Sequence, residues 1–167
     1  MKTYQSELNQ AMKMCVSENS LFVGQSVKFG GQKMFQTLSG VPDYQRIEMP
    51  IAEDMQAGFC TGLAMAGMLP ICIFPRIDFA LLALNQLVNH LDKMENQPRV
   101  IIRTAIGAKY PLNAGLQHTQ DHVRGFRNLL CSIPVYRLEE VEEIVPAYER
   151  ALNRDGATIL VEYAGMY

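Results

Sequence analysis

Short apolar runs alternate with longer amphipathic segments along the chain. The apolar runs predict strands at Leu21–Val23, Arg46–Met49, Ile71–Phe74, Val100–Arg103, Val135–Leu138 and Ala157–Val161. The amphipathic segments predict helices at Tyr4–Val16, Ala52–Ala66, Phe79–Met94, His122–Leu130 and Glu140–Leu152. Continuous apolar strands that alternate with helices are typical of a parallel sheet covered on both faces. The pattern therefore predicts an α/β fold with a mostly parallel sheet and helices on both faces.

The segments between these elements divide the chain less clearly. Gly67 closes the helix over Ala52–Ala66, whereas Phe29–Gly40 has a mixed pattern that predicts no single element. Ala105–Gln117 is rich in Gly, Pro and Asn and predicts a long loop, and loops of that length are often functional. No repeat or linker interrupts the sequence, so residues 1–167 are predicted to form a single domain.

Composition narrows the classes of protein that fit. The 167 residues are 49% apolar with a net charge of −2, which disfavours disorder and binding to nucleic acid or to an anionic membrane surface. Ala57–Phe74 is uncharged and long enough to span a membrane, but three glycines and Pro70 interrupt it. We interpret it as a buried helix, a turn and a strand, so no membrane segment is expected.

The four cysteines are Cys15, Cys60, Cys72 and Cys131, and none forms a Cys-x-x-Cys pair. Three of them have apolar neighbours, where a free thiol packs as a small hydrophobic group. The first residues lack the continuous apolar run of a secretory signal. A reduced, cytoplasmic protein is the expectation.

The residues alone offer few catalytic motifs. Gly24–Lys28 follows a strand, but Lys28 stands where a serine-hydrolase elbow requires glycine. His118 and His122 would share a face on a continuous helix and could hold a metal, although no third ligand is evident. Glu53 begins an apolar helix, where it could stabilise the helix dipole or carry chemistry, and the pattern alone favours the dipole.

A longer block is more specific. Pro50-Ile51-Ala52-Glu53 is followed at fixed spacing by Gly58, Gly62, Gly67 and Pro70, within the segment Arg46–Met94. This segment resembles the pyrimidine-binding domain of transketolase-like thiamine diphosphate enzymes, and most of all the beta subunit of 2-oxo acid dehydrogenase decarboxylating components. Supporting stretches are Phe22–Gly24, residues 30–38 and Gly115–Gln120. The resemblance implies the thiamine diphosphate-binding fold of the pyrimidine-binding type.

The resemblance also implies roles for individual residues. Glu53 matches the glutamate that contacts the aminopyrimidine ring of the cofactor, and Ile51 of the same motif is expected to bind the cofactor. Phe79 matches the aromatic residue that stacks on that ring, and His118 the loop histidine that faces the substrate. A carboxyl group on the ring favours loss of the thiazolium proton, after which the cofactor acts as an electron sink. His118 would exchange protons with the substrate.

Enzymes of this family bind the diphosphate and its Mg²⁺ through another domain, which carries a Gly-Asp-Gly motif and a downstream Asn. This sequence has neither. The resemblance therefore implies a diphosphate-binding, alpha-type partner subunit that holds Mg²⁺, in a hetero-oligomer with homodimer contacts. The helix Ala52–Gly67 is the expected contact surface, because its glycines allow close approach.

The sequence departs from related beta subunits at three places. Gln25 replaces a usual acidic residue and Gln56 interrupts the apolar helix. The printed sequence ends at Tyr167, and we expect the family's second domain to be missing after it. Two hypotheses stay open: a catalytic subunit of a split enzyme acting on a 2-oxo acid or a ketose, or an inactive assembly or regulatory module. Arg76 and Arg103 could pair with a substrate carboxylate or phosphate, although structural ion pairs are commoner for such arginines.

Overall fold

The computed structural model describes residues 2–110 and 113–167. Its six strands form one sheet in which the paired neighbours are parallel, in the order β2-β1-β3-β4-β6-β5. The strands are β1 Ser20–Gly24, β2 Arg46–Glu48, β3 Leu69–Phe74, β4 Ile101–Ile106, β5 Val135–Arg137 and β6 Thr158–Tyr163. The predicted α/β fold with a parallel sheet is confirmed.

Helices cover both faces of this sheet. They are α1 Tyr4–Met14, α2 Lys33–Gln36, α3 Glu53–Met65, α4 Ile77–Ala80, α5 Val123–Leu129 and α6 Ile144–Asn153. Because side chains alternate along a strand, β3 contributes to two cores. Ile71 and Ile73 pack with α1 and α6, whereas Cys72 and Phe74 pack on the other face with α3 and α5. All four strand residues are buried, which explains their continuous apolar run.

The strand order places a crevice beside β1. This strand pairs with β2 on one side and β3 on the other, so the chain winds away from β1 in both directions. Ligands of open α/β sheets bind at such a reversal, outside the carboxyl ends of the strands. At that end Gly24 lies so close to β3 that an added Cβ would be 2.2 Å from the Ile73 carbonyl oxygen. Only glycine fits there.

The single helix predicted over Phe79–Met94 is wrong. The segment begins earlier, with α4 at Ile77, and continues through a 3₁₀ turn at Leu81–Ala83, a π-helical turn at Asn85–His90 and a further 3₁₀ turn at Leu91–Lys93. All three helix types place residues three to five apart on one face, so the apolar period does not distinguish them. The predicted stripe nevertheless faces the core, since Leu87 and Leu91 are buried.

Strands β1, β3, β4 and β6 are longer than predicted, and the extensions of β4 and β3 change how the neighbouring segments are interpreted. Strand β4 continues through Ala105 and Ile106, because these residues pair with Glu162 and Tyr163 of β6. The loop predicted from Ala105 therefore begins at Gly107, and its residues 111 and 112 lie outside the described part. Strand β3 begins at Leu69 and so contains Pro70, which was expected to lie in a turn.

A buried ion pair joins β4 to β6. The Arg103 guanidinium donates from Nε to Glu162 Oε1 at 2.6 Å and from Nη2 to Oε2 at 2.9 Å, and neither side chain is exposed. The hydroxyl groups of Tyr148 and Tyr167 also donate to the Glu162 carboxylate. Arg103 is therefore a structural residue, as the commoner role of such arginines predicts.

A second buried carboxylate anchors the loop before β5. Asp92 accepts hydrogen bonds from the backbone amides of Cys131, Ser132 and Ile133 at 2.8–3.1 Å and pairs with Lys93 at 2.9 Å. Burial opposes the charge, but the hydrogen bonds from Cys131, Lys93 and Ser132 outweigh it and hold the pKa of Asp92 below its usual range. Asp92 is thus charged at neutral pH and ties two distant segments together.

The four cysteines are free, and Cys131 is the exposed one among them. In the described part of the chain no helix has the length and apolarity that crossing a membrane requires. The uncharged segment Ala57–Phe74 is divided between α3 and β3, with Gly67 at a φ of +87° closing the helix between them.

Candidate active site

Four segments that follow strands place their side chains at the carboxyl edge of the sheet. Gln25 follows β1, Glu53 follows β2, Phe79 follows β3 and His118 follows β4. The predicted site residues, which are far apart in sequence, thus lie at the same edge of the sheet. This is the edge where α/β folds bind ligands.

Glu53 is the first residue of α3 and is only 4% exposed. Its Oε1 accepts a hydrogen bond of 3.2 Å from Gln25 Nε2, the one bond to this carboxylate found among the described residues. An ionised carboxylate can accept about four hydrogen bonds. The helix dipole stabilises an acidic group here, yet the carboxylate keeps the capacity to bind a ligand. The two roles considered from the sequence are compatible.

Gln25 is held in place by a residue that the sequence analysis missed. The Glu48 carboxylate, at the end of β2, accepts hydrogen bonds from the backbone amides of Ser26, Val27 and Lys28 at 2.7, 2.9 and 2.8 Å. These bonds fix a turn in which Ser26 has a φ of +57°. The turn directs the preceding Gln25 toward Glu53. Gln25, where the sequence departs from the family pattern, is therefore a direct partner of the site glutamate.

Phe79 and His118 contact each other edge to face, with ring centroids 5.3 Å apart. His118 Nδ1 is buried and has no hydrogen-bond partner among the residues described. The loop that carries His118 packs directly against Gly107, because a Cβ added at Gly107 would lie 1.8 Å from the His118 carbonyl oxygen. The structure thus brings the predicted aromatic and histidine side chains together.

The hypothesis that His118 and His122 hold a metal requires both side chains to lie on one face of a continuous helix, and the structure has no such helix across the described residues 118–122. His118 ends a 3₁₀ turn and His122 caps α5, so the two do not share a helix face. His122 Nε2 instead lies 3.5 Å from the Asp78 carboxylate, which also accepts a bond from the Gln120 amide. Across residues 2–110 and 113–167 no cluster of three His, Cys, Asp or Glu could hold a metal. Asp78 therefore tethers the histidine loop to α4.

Gln56, the other departure within α3, is fully buried. Its Nε2 donates to the Ile73 carbonyl oxygen at 2.9 Å and contacts Cys72 Sγ at 3.4 Å. The amide therefore docks α3 on the end of β3, while its Oε1 is buried without a partner in the described residues. Gln56 positions the helix that carries Glu53.

The outer face of α3 is apolar as well as its inner face. Ile51, Met55 and Phe59 recur every four residues and are 85%, 50% and 41% exposed, and Met65 extends this surface. Gly62 on the same side has no atom within 4 Å of an added Cβ. A glycine can be required where a helix packs closely against its own chain, but no such contact exists at Gly62 within the described part of the chain. We call these five residues the α3 outer face.

Fold and site together define a cofactor-binding α/β domain whose ligand edge carries a buried glutamate. The sequence profile described as "Transketolase, pyrimidine binding domain" matches residues 2–167, so the chain belongs to that family. The family depends on thiamine diphosphate.

Curated relatives extend beyond this chain. It is 26% identical over 121 residues to the beta subunit of the pyruvate dehydrogenase E1 component from Mycoplasma genitalium, covering 69% of this chain and 37% of that protein. The same subunit from Cyanidium caldarium is 28% identical over 136 residues, with 76% and 42% covered. A human mitochondrial counterpart is 41% identical over 51 residues, 30% of this chain and 14% of that one. The chain thus spans less than half the length of these relatives.

Solved structures share the fold. A protein described as split gene transketolase, inactive beta4 tetramer, superposes with a TM-score of 0.72 at 15% identity, over 96% of this chain and 51% of that one. Transketolase from Campylobacter jejuni gives a TM-score of 0.76 at 17% identity, over 98% and 26%.

Proposed function

We propose that this chain is the pyrimidine-binding subunit of a split thiamine diphosphate-dependent enzyme. It would act on a 2-oxo acid or a ketose, by decarboxylation or by ketol or acyl transfer. The observation that carries this proposal is the buried Glu53 carboxylate with unused hydrogen-bonding capacity. A buried charged group without enough partners is costly in a purely structural role, and the missing partner is supplied if a ligand nitrogen binds there.

The residues around Glu53 fit the cofactor's aminopyrimidine ring. Ile51 is exposed beside Glu53 and offers an apolar surface, and Phe79 is half-buried with its ring against His118. When bound, thiamine diphosphate supplies a carbanion that adds to carbonyl carbon and then accepts its electrons. Glu53 holds a proton at the ring nitrogen, and Phe79 orients the ring. The His118 imidazole would exchange protons with the substrate.

The α3 outer face supports a partner subunit. Monomeric proteins rarely leave large contiguous apolar patches exposed, and such patches mark interaction sites. Relatives are named as beta subunits, and one structural neighbour is a split-gene transketolase. We infer that the α3 outer face packs against an alpha-type chain that binds the diphosphate and Mg²⁺. The hetero-oligomer would also have contacts between copies of this chain. The four free cysteines fit our further proposal that this assembly works in the cytoplasm.

A second candidate is an inactive assembly module of the same fold. Gln25 favours this candidate. It replaces the acidic residue that is usual at this position in beta subunits, and its side-chain amide donates a hydrogen bond to the Glu53 carboxylate. The two candidates predict the same fold and the same α3 outer face. They differ in whether the assembled protein retains cofactor and turns over.

The test starts from affinity purification of the tagged chain from its native host, with Mg²⁺ and thiamine diphosphate present or absent. Mass spectrometry is expected to find a chain with Gly-Asp-Gly and a downstream Asn. In the complex, Glu53→Gln is expected to reduce turnover of a carbonyl substrate by roughly 10²-fold or more, the usual contribution of an acid–base group. The exposed Glu18→Gln is the matched control and should act as wild type.

Two results would contradict the catalytic proposal. The first is recovery of the chain alone, or of a complex that retains no cofactor. The second is a Glu53→Gln complex with wild-type turnover. Either result would leave the inactive module as the function.

A further inference from the structure

A cavity of about 200 Å³ lies next to the candidate active site. It is enclosed by the loops that follow β1, β3, β4 and β6, so it opens at the same edge of the sheet as Glu53 and His118. The side chains that matter for its chemistry are Gln32, Lys33, Arg76, Tyr110 and Tyr167. Since a water molecule takes about 30 Å³ of liquid, this volume suits a small anionic group with a few attached carbons.

The cavity is positively charged. Lys33 and Arg76 both line it, and none of its described lining residues is acidic. Among the described residues, the hydrogen bond that Arg76 makes is from Nη1 to the carbonyl of the adjacent Pro75, at 2.7 Å. Lys33 Nζ donates at 3.1 Å to the main-chain oxygen of Tyr167, the last residue of the printed sequence. No Asp or Glu carboxylate lies within 4 Å of either cation in the described part of the chain, unlike the buried Arg103.

Arg76 connects the cavity to the reacting region. A Cβ added at Gly107 would lie 1.8 Å from the His118 carbonyl oxygen and 3.1 Å from Arg76 Nε, so both groups flank the same point. Arg76 also precedes α4, which carries Phe79 three residues later. A ligand that extends from His118 into the cavity therefore passes the guanidinium.

We propose that Arg76 and Lys33 form a recognition site for an anionic group, a carboxylate or a phosphate, at the end of the substrate remote from its reacting carbonyl. This inference rests on the proposed function, since it gives that function a substrate class. The fork of guanidinium donors matches carboxylate and phosphate oxygens.

The first test uses the isolated chain without cofactor. Inorganic phosphate, succinate and neutral glycerol are titrated at constant ionic strength while NMR follows the backbone amide signals of Gly31, Ala108 and Ala164, which line the cavity and are present in every variant. Saturable shifts are expected for one or both anions and none for glycerol. Arg76→Gln should weaken anion binding about tenfold, the effect of one charge-assisted hydrogen bond, and Lys33→Gln severalfold. The exposed Arg124→Gln is the control for net charge and should bind as wild type.

Lys33 is exposed, so its substitution does not threaten the fold if the Arg76 variant proves unstable. Shifts that do not saturate, or that fall equally in Arg124→Gln, would overturn the proposal. The anion that binds more tightly indicates whether a carboxylate or a phosphate is preferred.

A second test uses the assembled enzyme recovered with its partner. Arg76→Gln is expected to raise KM about tenfold for a 2-oxo acid or ketose ending in the preferred anion, with little effect on one of equal length ending in a methyl or hydroxyl group. Equal changes for both substrates would refute the site. Anion binding by the isolated chain without any cofactor-dependent complex would instead refute the proposed function and leave the site standing.

Discussion

Replacing Arg103 with methionine tests the buried pair most directly. The change removes two short hydrogen bonds to Glu162, both from a side chain with no exposed surface. Burial alone opposes the charge on Arg103, but the Glu162 carboxylate more than offsets it and raises the pKa of Arg103 above its usual value. The guanidinium therefore stays protonated, and Arg103→Met leaves the buried Glu162 carboxylate without its ion-pair partner.

The cost follows from what remains around Glu162. Breaking a buried pair by removing one partner costs about 3–5 kcal/mol. Because the hydroxyls of Tyr148 and Tyr167 still donate to Glu162, we expect the lower end, about 3 kcal/mol. For a chain of this size each kcal/mol lowers Tm by roughly 2–4 °C, so Tm should fall by roughly 6–12 °C.

Urea unfolding followed by circular dichroism measures this effect, since the chain has no tryptophan to report by fluorescence. Adding Glu162→Gln to Arg103→Met removes the stranded charge and keeps an acceptor for the tyrosines. The double variant should therefore recover about 1–3 kcal/mol. Arg99→Met, which removes an exposed pair with Asp155, is the control and should cost about 1 kcal/mol or less.

A loss below about 1 kcal/mol in Arg103→Met, or a double variant no more stable than the single one, would refute this reasoning. The first result would mean that water reaches Glu162. The second would mean that the cost comes from lost packing of the arginine side chain and not from charge.

Three further outcomes are expected. Asp92→Asn should lower the free energy of unfolding by about 2–3 kcal/mol at pH 7. The pKa of Asp92 in the folded state lies below the unfolded value of 3.8, so the difference from wild type should persist above pH 4 and shrink as the pH falls further. Unfolding curves measured across this pH range test the prediction. Gly107→Ala should displace the His118 loop, since its Cβ would meet the carbonyl oxygen at 1.8 Å, and NMR should show the imidazole signal shifted in a chain that still folds. Burial raises the pKa of the Cys15 thiol to about 12, so iodoacetamide at pH 8 should label exposed Cys131 in the native chain and Cys15 only after unfolding, by mass spectrometry; equal labelling of both thiols would contradict the fold.

The fold class could be predicted because it depends on a regular repeat. Each buried strand leaves a continuous apolar run, and each covering helix leaves a stripe, so β3 and α3 are visible in the sequence. The helix type after α4 and the end of β4 could not be predicted. The helix type depends on which backbone hydrogen bonds form, and the same apolar spacing is compatible with all three types. The end of β4 depends on pairing with β6, and the paired residues Ala105 and Glu162 are 57 positions apart in sequence.

The candidate site was predicted in part. Glu53 could be found from its motif, but its bond to Gln25 joins residues 28 positions apart and requires the folded chain. Glu48 and Asp92 were missed because their partners are backbone amides, which have the same chemistry at every residue except proline. Arg76 and Arg103 looked equivalent in sequence. Their roles differ in the structure because β6 places the Glu162 carboxylate beside Arg103 and not beside Arg76.

The position of β6 has a consequence for how the protein is made. This strand lies between β4 and β5, although β5 precedes it in the chain. During translation β4 keeps an open edge, and β5 has no strand to pair with, until residues 158–163 have left the ribosome. An unpaired edge of buried apolar strands is a site of aggregation. A chain that lacks residues 158–163 would therefore keep both edges unpaired and would aggregate, although the other five strands of the sheet are present.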